Sequence, residues 1–440
     1  MTKLLNSRAA GIDISSKEHV VAIPPERDKE SVRTFGSFTD DLHRLARWLK
    51  SNGVTSVAME STGVYWYHLF TILLDYDIEV HLVNAYHVKN VPDRKSDVND
   101  AQWLQQLHSY GLLKNCFQPD NLTRALRSYV RYRKTLIRDI TTHTQRMQKS
   151  LEQMNIKLNN VIRDINGKTG RVIIEKILQG ETNPHTLAQY ADARIKASRE
   201  VMVKSLQGTF REEHLFLLSQ SYNTVRFLEQ QLETCDKQIQ QTMHCFEGVI
   251  PQEPVERKTH RSKQPTLPVG AYLKQVYGVD VTRIYGIKHV TALCVFSETG
   301  PDLKARFPTQ KQWLSWLNVV PDNQISGGKV IKSKVKKKKN IAGQAFRDAA
   351  NALWNAQNPL GDYLRNKKAK SGGNRAIVAT ARKLASIYYK MVTELVEFNP
   401  DFLQQNTQQY LMDKLKKLEK AQNNVIAQLS NNHAFNDLVI

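Results

Sequence analysis

Cysteine is scarce in this chain: Cys116, Cys235, Cys245 and Cys294 are spread over 440 residues without a CxxC pair. That spacing excludes a disulfide framework and a cysteine-based zinc site, and it fits a reducing compartment. The thirteen histidines form neither HExxH nor any Cys/His ligand spacing, so zinc has no visible site. Walker A and GxGxxG sequences are missing, which removes ATP-driven and dinucleotide chemistry. No apolar stretch reaches the length of a membrane span, and the opening MTKLLNSRAAGID lacks the apolar core of a signal peptide. A soluble, cytoplasmic protein away from membranes is expected.

Acid is the other shortage. The chain has 42 Asp and Glu against 63 Lys and Arg, a net charge of +21. Such a balance attracts polyanions and supplies sequence-independent affinity for phosphate. At this length two or three domains are expected, each with its own core.

What is present divides into blocks. Over the first 115 residues, AAGIDIS, HVVAIPP, TSVAMES and DIEVHLVN are short β-branched runs, while DDLHRLARWLKSN and WYHLFTILLDY carry apolar residues at helical spacing. This is the pattern of an α/β sheet domain. Residues 121–150 then read as a long helix with eight basic residues and one acid. A second long helix is expected over 212–246, with Leu218, Val225, Leu232 and Ile239 at seven-residue spacing. Its partner is either the first long helix or another subunit. A linker with four prolines follows, then further helices and a polar amphipathic tail. The boundaries expected are 1–115 for the sheet domain, 116–247 for the long helices, 248–270 for the linker, 271–398 for a mainly helical domain and 399–440 for the tail.

Four acids stand where a metal-dependent nuclease of the RNase H type needs them. Asp13 ends the first apolar run and Glu60 the third, which puts both at carboxyl ends of strands, where α/β sheets place their sites. Asp97 and Asp100, three apart, share one helix face. Carboxylates so placed can converge on divalent cations that clamp the oxygens of a phosphoryl displacement. Ser15 occupies the position where a proofreading exonuclease arrangement has Glu, so the RuvC-like resolvase arrangement fits better. Taken singly, an Asp after a strand is an ordinary turn or capping residue.

The segment ISGGK is the second element of interest. Gly327 and Gly328 let backbone N–H groups approach an anion, Lys329 adds charge, and Ser326 offers a hydroxyl that can attack phosphorus. A glycine turn that merely binds phosphate is the alternative. Residues 329–339 hold seven lysines and no acid, a solvated loop or a phosphate-tracking segment built from Lys329, Lys332, Lys334, Lys336, Lys337, Lys338 and Lys339. Arg124, Arg127 and Arg131 on the first long helix are further expected contacts to nucleic acid.

In order along the chain, GIDISSKEHVVAI, VAMESTGVYWYHLF, KSDVNDAQWL, IYGIKHVTALCVFSETG, RFPTQKQWLSWLNVVPDNQISGGK and NRAIVATARKLASIYYKMV resemble the DEDD transposases of the insertion-sequence family numbered one hundred and ten, relatives of the pilin-gene invertases. The resemblance implies a RuvC-like N-terminal domain, a coiled-coil segment and a C-terminal transposase domain bearing a serine. It places metal carboxylates at Asp13, Glu60, Asp97 and Asp100, loaded with magnesium or manganese, and the serine at Ser326. It also implies recombination guided by a structured bridge RNA that pairs with donor and target DNA. The protein would be a dimer assembling to a tetramer, nucleoid-associated when on DNA, with composite sites in which carboxylates of one subunit face the serine of another. The longer lysine run and the tail beyond Pro400 depart from the family pattern. Two rival readings are a resolvase-like endonuclease that hydrolyses with water and a non-catalytic nucleic-acid-binding protein.

Overall fold

The computed structural model describes residues 4–61, 63–84, 100–253, 264–335, 340–401 and, within the tail, 411–412, 415–416 and 418–428. The chain forms two compact units, Met1–Gln118 and Pro119–Ile440.

The first unit is built on a five-stranded sheet of β1 (Ala9–Ile14), β2 (Glu18–Ala22), β3 (Val32–Gly36), β4 (Ser56–Glu60) and β5 (Glu79–Val83), in the order β3-β2-β1-β4-β5. The β1–β2 and β2–β3 pairs are antiparallel, and the β1–β4 and β4–β5 pairs are parallel. A mixed sheet of this kind, with helices completing its crossovers, is the RuvC-like fold that the N-terminal sequence announces. The sequence pattern yields four of the five strands. The fifth, β3, is a partly exposed edge strand, VRTFG, whose polar residues dilute the apolar signal.

Period-two alternation divides the sheet into two faces. Ala10, Ile12 and Ile14 of β1 and Val57 and Met59 of β4 enter one core with α1 (Thr39–Ser51) and α2 (Trp66–Asp75). α1 buries Leu42, Leu45, Ala46 and Leu49, an apolar stripe at helical spacing, and α2 buries Leu69, Phe70 and Leu73. The opposite face carries Ala9, Gly11 and Asp13 of β1 and Ser56, Ala58 and Glu60 of β4. It is covered by α3 (Asp100–Ser109), whose Leu104 and Leu107 pack on Val83.

Among its described residues, the second unit's regular elements are helices and one strand hairpin. α4 (Asn121–Gln153) begins at Asp120, whose carboxylate accepts the Thr123 backbone N–H at 2.8 Å, a side-chain N-cap. α5 (Glu212–His244) runs back along α4. Its seam of Leu218, Val225, Leu232 and Ile239 is buried in one core with Leu126, Val130, Leu136 and Ile140 of α4, so the heptad partner is the first long helix of the same chain. A buried ion pair locks the hairpin: Arg133 Nε meets Asp236 Oδ1 at 2.6 Å, and the Thr266 backbone N–H also donates to Asp236. With the remaining acceptor atoms satisfied this way, the pair fixes register more than it adds stability.

The same core continues into α6 (Val269–Tyr277), α7 (His289–Thr299), α8 (Gln310–Trp316), α9 (Ile341–Asn351), α10 (Pro359–Ser371) and α11 (Gly373–Glu394). Its centre is Trp313, fully buried against Tyr388 and Phe346, with its indole N–H donating to the Ala385 carbonyl at 3.0 Å. Between α8 and α9, β6 (Asp322–Ser326) and β7 (Lys329–Lys334) form an antiparallel two-stranded hairpin. Among the described residues no helix is long and apolar enough to cross a membrane.

Candidate active site

Asp13 and Glu60 reach the same place by the same route. The last paired residues of the parallel β1–β4 ladder are Ile12 and Met59, and one step further along each strand stand Asp13 and Glu60. Both project from the α3 face, because they follow Gly11 and Ala58 by two residues. Two carboxylates on adjacent strands at the carboxyl edge are the positions the sequence predicts.

The third acid arrives through helix packing. Gly11 has no side chain, and α3 lies directly over it: a Cβ there would fall 2.2 Å from the Ala101 carbonyl oxygen and 2.3 Å from the Gln105 nitrogen. Backbone touches backbone, which puts Asp100, the first residue of α3, beside Asp13. Burial and then the charge of Asp100 push the Asp13 carboxyl above the ordinary carboxylate range. His19, a 2% exposed residue of β2, acts on Asp13 in the opposite sense. Its own imidazole is pushed down by burial, against the pull of Asp13. Sequence reasoning passed over Gly11 and His19; the glycine inside GID was the available signal, since an interior strand glycine marks close backbone approach.

At the far end of α3, His108 Nε2 and Ser56 Oγ lie 3.0 Å apart, and the His108 ring sits 4.5 Å from that of His81. Burial, then the neighbouring His81, lower the His108 imidazole to about 4. This buried contact ties α3 to β4 and so fixes the end of the helix opposite to Asp100.

Asp97 lies outside the described residues. Among the described residues no three His, Cys, Asp or Glu side chains are grouped closely enough to hold a metal ion. The described donor set is thus the Asp13–Asp100 pair, with Glu60 on the next strand. Carboxylate oxygens, half-buried at Asp13 and Glu60 and exposed at Asp100, are hard anionic ligands of the kind that suits magnesium or manganese and not a soft metal.

Ser326 sits at the tip of the β6–β7 hairpin. Gly327 and Gly328 form its two-residue turn at φ 54° and 74°, and both central residues of such a turn need positive φ. Ser326 pairs with Lys329 across it. Every residue of both strands is exposed, including Ile325, Val330 and Ile331. A register shift at Gln324/Ile325 pairs Lys329, Lys332 and Lys334 with Ser326, Gln324 and Asp322, so the three lysines share one face of the hairpin with Ser326. Lys336, Lys337, Lys338 and Lys339 lie outside the described residues.

The three arginines expected to meet nucleic acid all make contacts within their own unit, with Arg124 and Arg127 turned inward and Arg131 still exposed. Arg124 is buried and donates to the Pro119 carbonyl at 3.5 Å. Arg127 is turned inward, donating to the Ser297 and Glu298 carbonyls, and burial lowers its guanidinium to about 10 against the pull of Glu298. Arg131 grips both carboxylate oxygens of Glu298 at 2.8 Å. These three hold α4 to its neighbours within the unit. The basic residues of α4 that face solvent are Lys134, Arg138, Arg146 and Lys149, besides Arg131. Their mutual spacing puts them along one side of the helix.

Comparison with known families matches both parts of the chain. A DEDD family model of IS110, described as a transposase, matches residues 10–156, and one described as the transposase IS116/IS110/IS902 family matches residues 280–364. No curated protein matches the chain. The first match spans β1 through α4 and the second contains the Ser326 hairpin. The chain belongs to the IS110 family of DNA transposases.

Proposed function

We propose that this transposase cuts and rejoins DNA through a divalent-metal carboxylate site made by Asp13, Glu60, Asp97 and Asp100 together with a serine nucleophile, Ser326. The juxtaposition of Asp13 and Asp100 carries the reading, since a half-buried carboxylate facing a second acid is stabilised by a cation between them. Bound magnesium or manganese would neutralise charge on the phosphate and on the leaving oxygen. Asp13 and Glu60 would set the position of that charge from the rigid edge of the sheet, and Asp100 from the amino end of α3.

Ser326 would act from the hairpin tip. Its Oγ forms the new bond to phosphorus, its proton passes to solvent, and the bond from phosphorus to the departing deoxyribose oxygen breaks as that oxygen takes up a proton. The phosphodiester energy is kept in the serine link, so rejoining needs no ATP. Exposure of the whole hairpin suits a composite site, in which the serine of one subunit meets the carboxylates of another within a tetramer. Direction by a structured guide RNA follows from the family resemblance, and Lys134, Arg138, Arg146 and Lys149 give α4 a cationic side for its phosphates. Denaturing electrophoresis of labelled DNA with magnesium tests the scheme: a protein-linked strand supports it, whereas free cut ends alone support water-driven hydrolysis.

A further inference from the structure

Immediately after Glu60 the chain turns into α2 through Ser61, Gly63, Val64 and Tyr65. A strand-to-helix connection is ordinarily polar. Here Val64 is 76% exposed, Tyr65 48% and Tyr67 43%. The cluster is also fixed in place. The Trp66 indole N–H donates to the Gly63 carbonyl at 3.2 Å, and its ring packs edge-on against Phe70 at 5.6 Å and Tyr67 at 5.8 Å. The Tyr65 ring folds back so that a Cβ on Gly63 would lie 3.4 Å from it. Phe70 and Leu69 anchor this assembly in the core of the unit. Exposed apolar side chains grouped within four residues mark a candidate interaction site.

We propose that Tyr65 and Tyr67, flanked by Val64, are a stacking platform for an unpaired nucleobase beside the phosphate to be cut. The assignment rests on the reading of Glu60 as part of the cleavage site, because the platform begins at the residues that follow it. A strand whose phosphate lies against the carboxylates has its bases close by, and a base splayed from its helix needs an aromatic face to cover it. Every base offers such a face, so the platform is indifferent to sequence and selects unpaired over paired strands. The net charge of +21 draws in a polyanion sooner than an apolar protein surface.

Stacking needs the ring and not the hydroxyl. In the full-length protein with calcium replacing magnesium, the double variant Tyr65→Ala/Tyr67→Ala is expected to lose about ten-fold affinity for single-stranded DNA and for a duplex with one bulged base. Affinity for an unbroken duplex should be unchanged, and Tyr65→Phe/Tyr67→Phe should restore the loss. Photocrosslinking of the unmodified protein to single strands carrying 5-iodouracil should yield peptides containing Tyr65 or Tyr67. Equal loss for paired and unpaired DNA, crosslinks confined to other peptides, or an Ala variant changed only in self-association would each overturn the platform. Asp13→Asn assayed in parallel for cleavage separates the two ideas: a variant that still cuts refutes the carboxylate site, while normal single-strand binding by the Ala variant refutes only the platform.

Discussion

Asp100 stands close enough to Asp13 for its charge to add to burial in holding the Asp13 carboxyl above its ordinary range. A raised value in the folded state means that ionisation opposes folding: the penalty is full at neutral pH and vanishes as pH falls below the unfolded value of 3.8. Asp13→Asn should therefore raise the melting temperature in chelator at pH 7, with no gain near pH 3.5. Magnesium should stabilise the wild type and not the variant, and strand cleavage by the variant should be nearly abolished. Calorimetric melts with and without magnesium check the sign.

Gly11→Ala tests how Asp100 is delivered. The added methyl meets backbone atoms of Ala101 and Gln105, which cannot rotate away, so α3 must shift. Loss of about 1–3 kcal/mol is expected from such overpacking, with cleavage falling further than stability accounts for. Calorimetric titration with manganese should show weaker binding, and amide exchange should quicken in α3 ahead of α1.

His108 predicts a pH dependence of opposite sense. Its folded value of about 4 lies below the free value of 6.5, so the unfolded chain takes up the proton first. Stability contributed by the neutral ring is complete above 6.5 and lost progressively as pH falls toward 4, by on the order of 2–3 kcal/mol. Hydrogen exchange of β4 and α3 peptides at pH 7 and pH 5 should show this loosening, and His108→Gln should flatten it.

The two sides of α4 should behave differently. Replacing Lys134, Arg138, Arg146 and Lys149 with Gln should reduce the slope of log affinity against log salt by roughly 0.7–0.9 per phosphate contact removed. Arg127→Ala should instead lower stability, because it strips a partner from the 5% exposed Glu298. Equal salt slopes for the wild type and the fourfold variant would remove this face from the interface.

Ser326→Ala should block covalent attachment and strand exchange, while leaving the hairpin intact, since Gly327 and Gly328 supply its turn. Peptide mapping of any DNA adduct decides the matter. An adduct at another residue, or normal recombination by the alanine protein, would return the reaction to water.

By itself the sequence determined the classes of element and the sites of charge. Period-two runs ending in Asp13 and Glu60 dictated two strands with acids at their carboxyl ends, because side chains on a pleated strand alternate whatever surrounds them. The seven-residue spacing of Leu218, Val225, Leu232 and Ile239 likewise required a helical partner. The Gly327–Gly328 pair between alternating residues also carried the hairpin signal, which the adjacent lysine run obscured. Tertiary structure decided the rest, since contacts between distant segments leave no local period. It chose α4 as the partner of α5, turned Arg127 inward onto Glu298, buried Arg124 against the Pro119 carbonyl, and set α3 on Gly11 so that Asp100 meets Asp13. A composition rich in arginine states how much positive charge the chain holds; only packing settles which guanidinium groups neutralise a buried acid and which remain for phosphate.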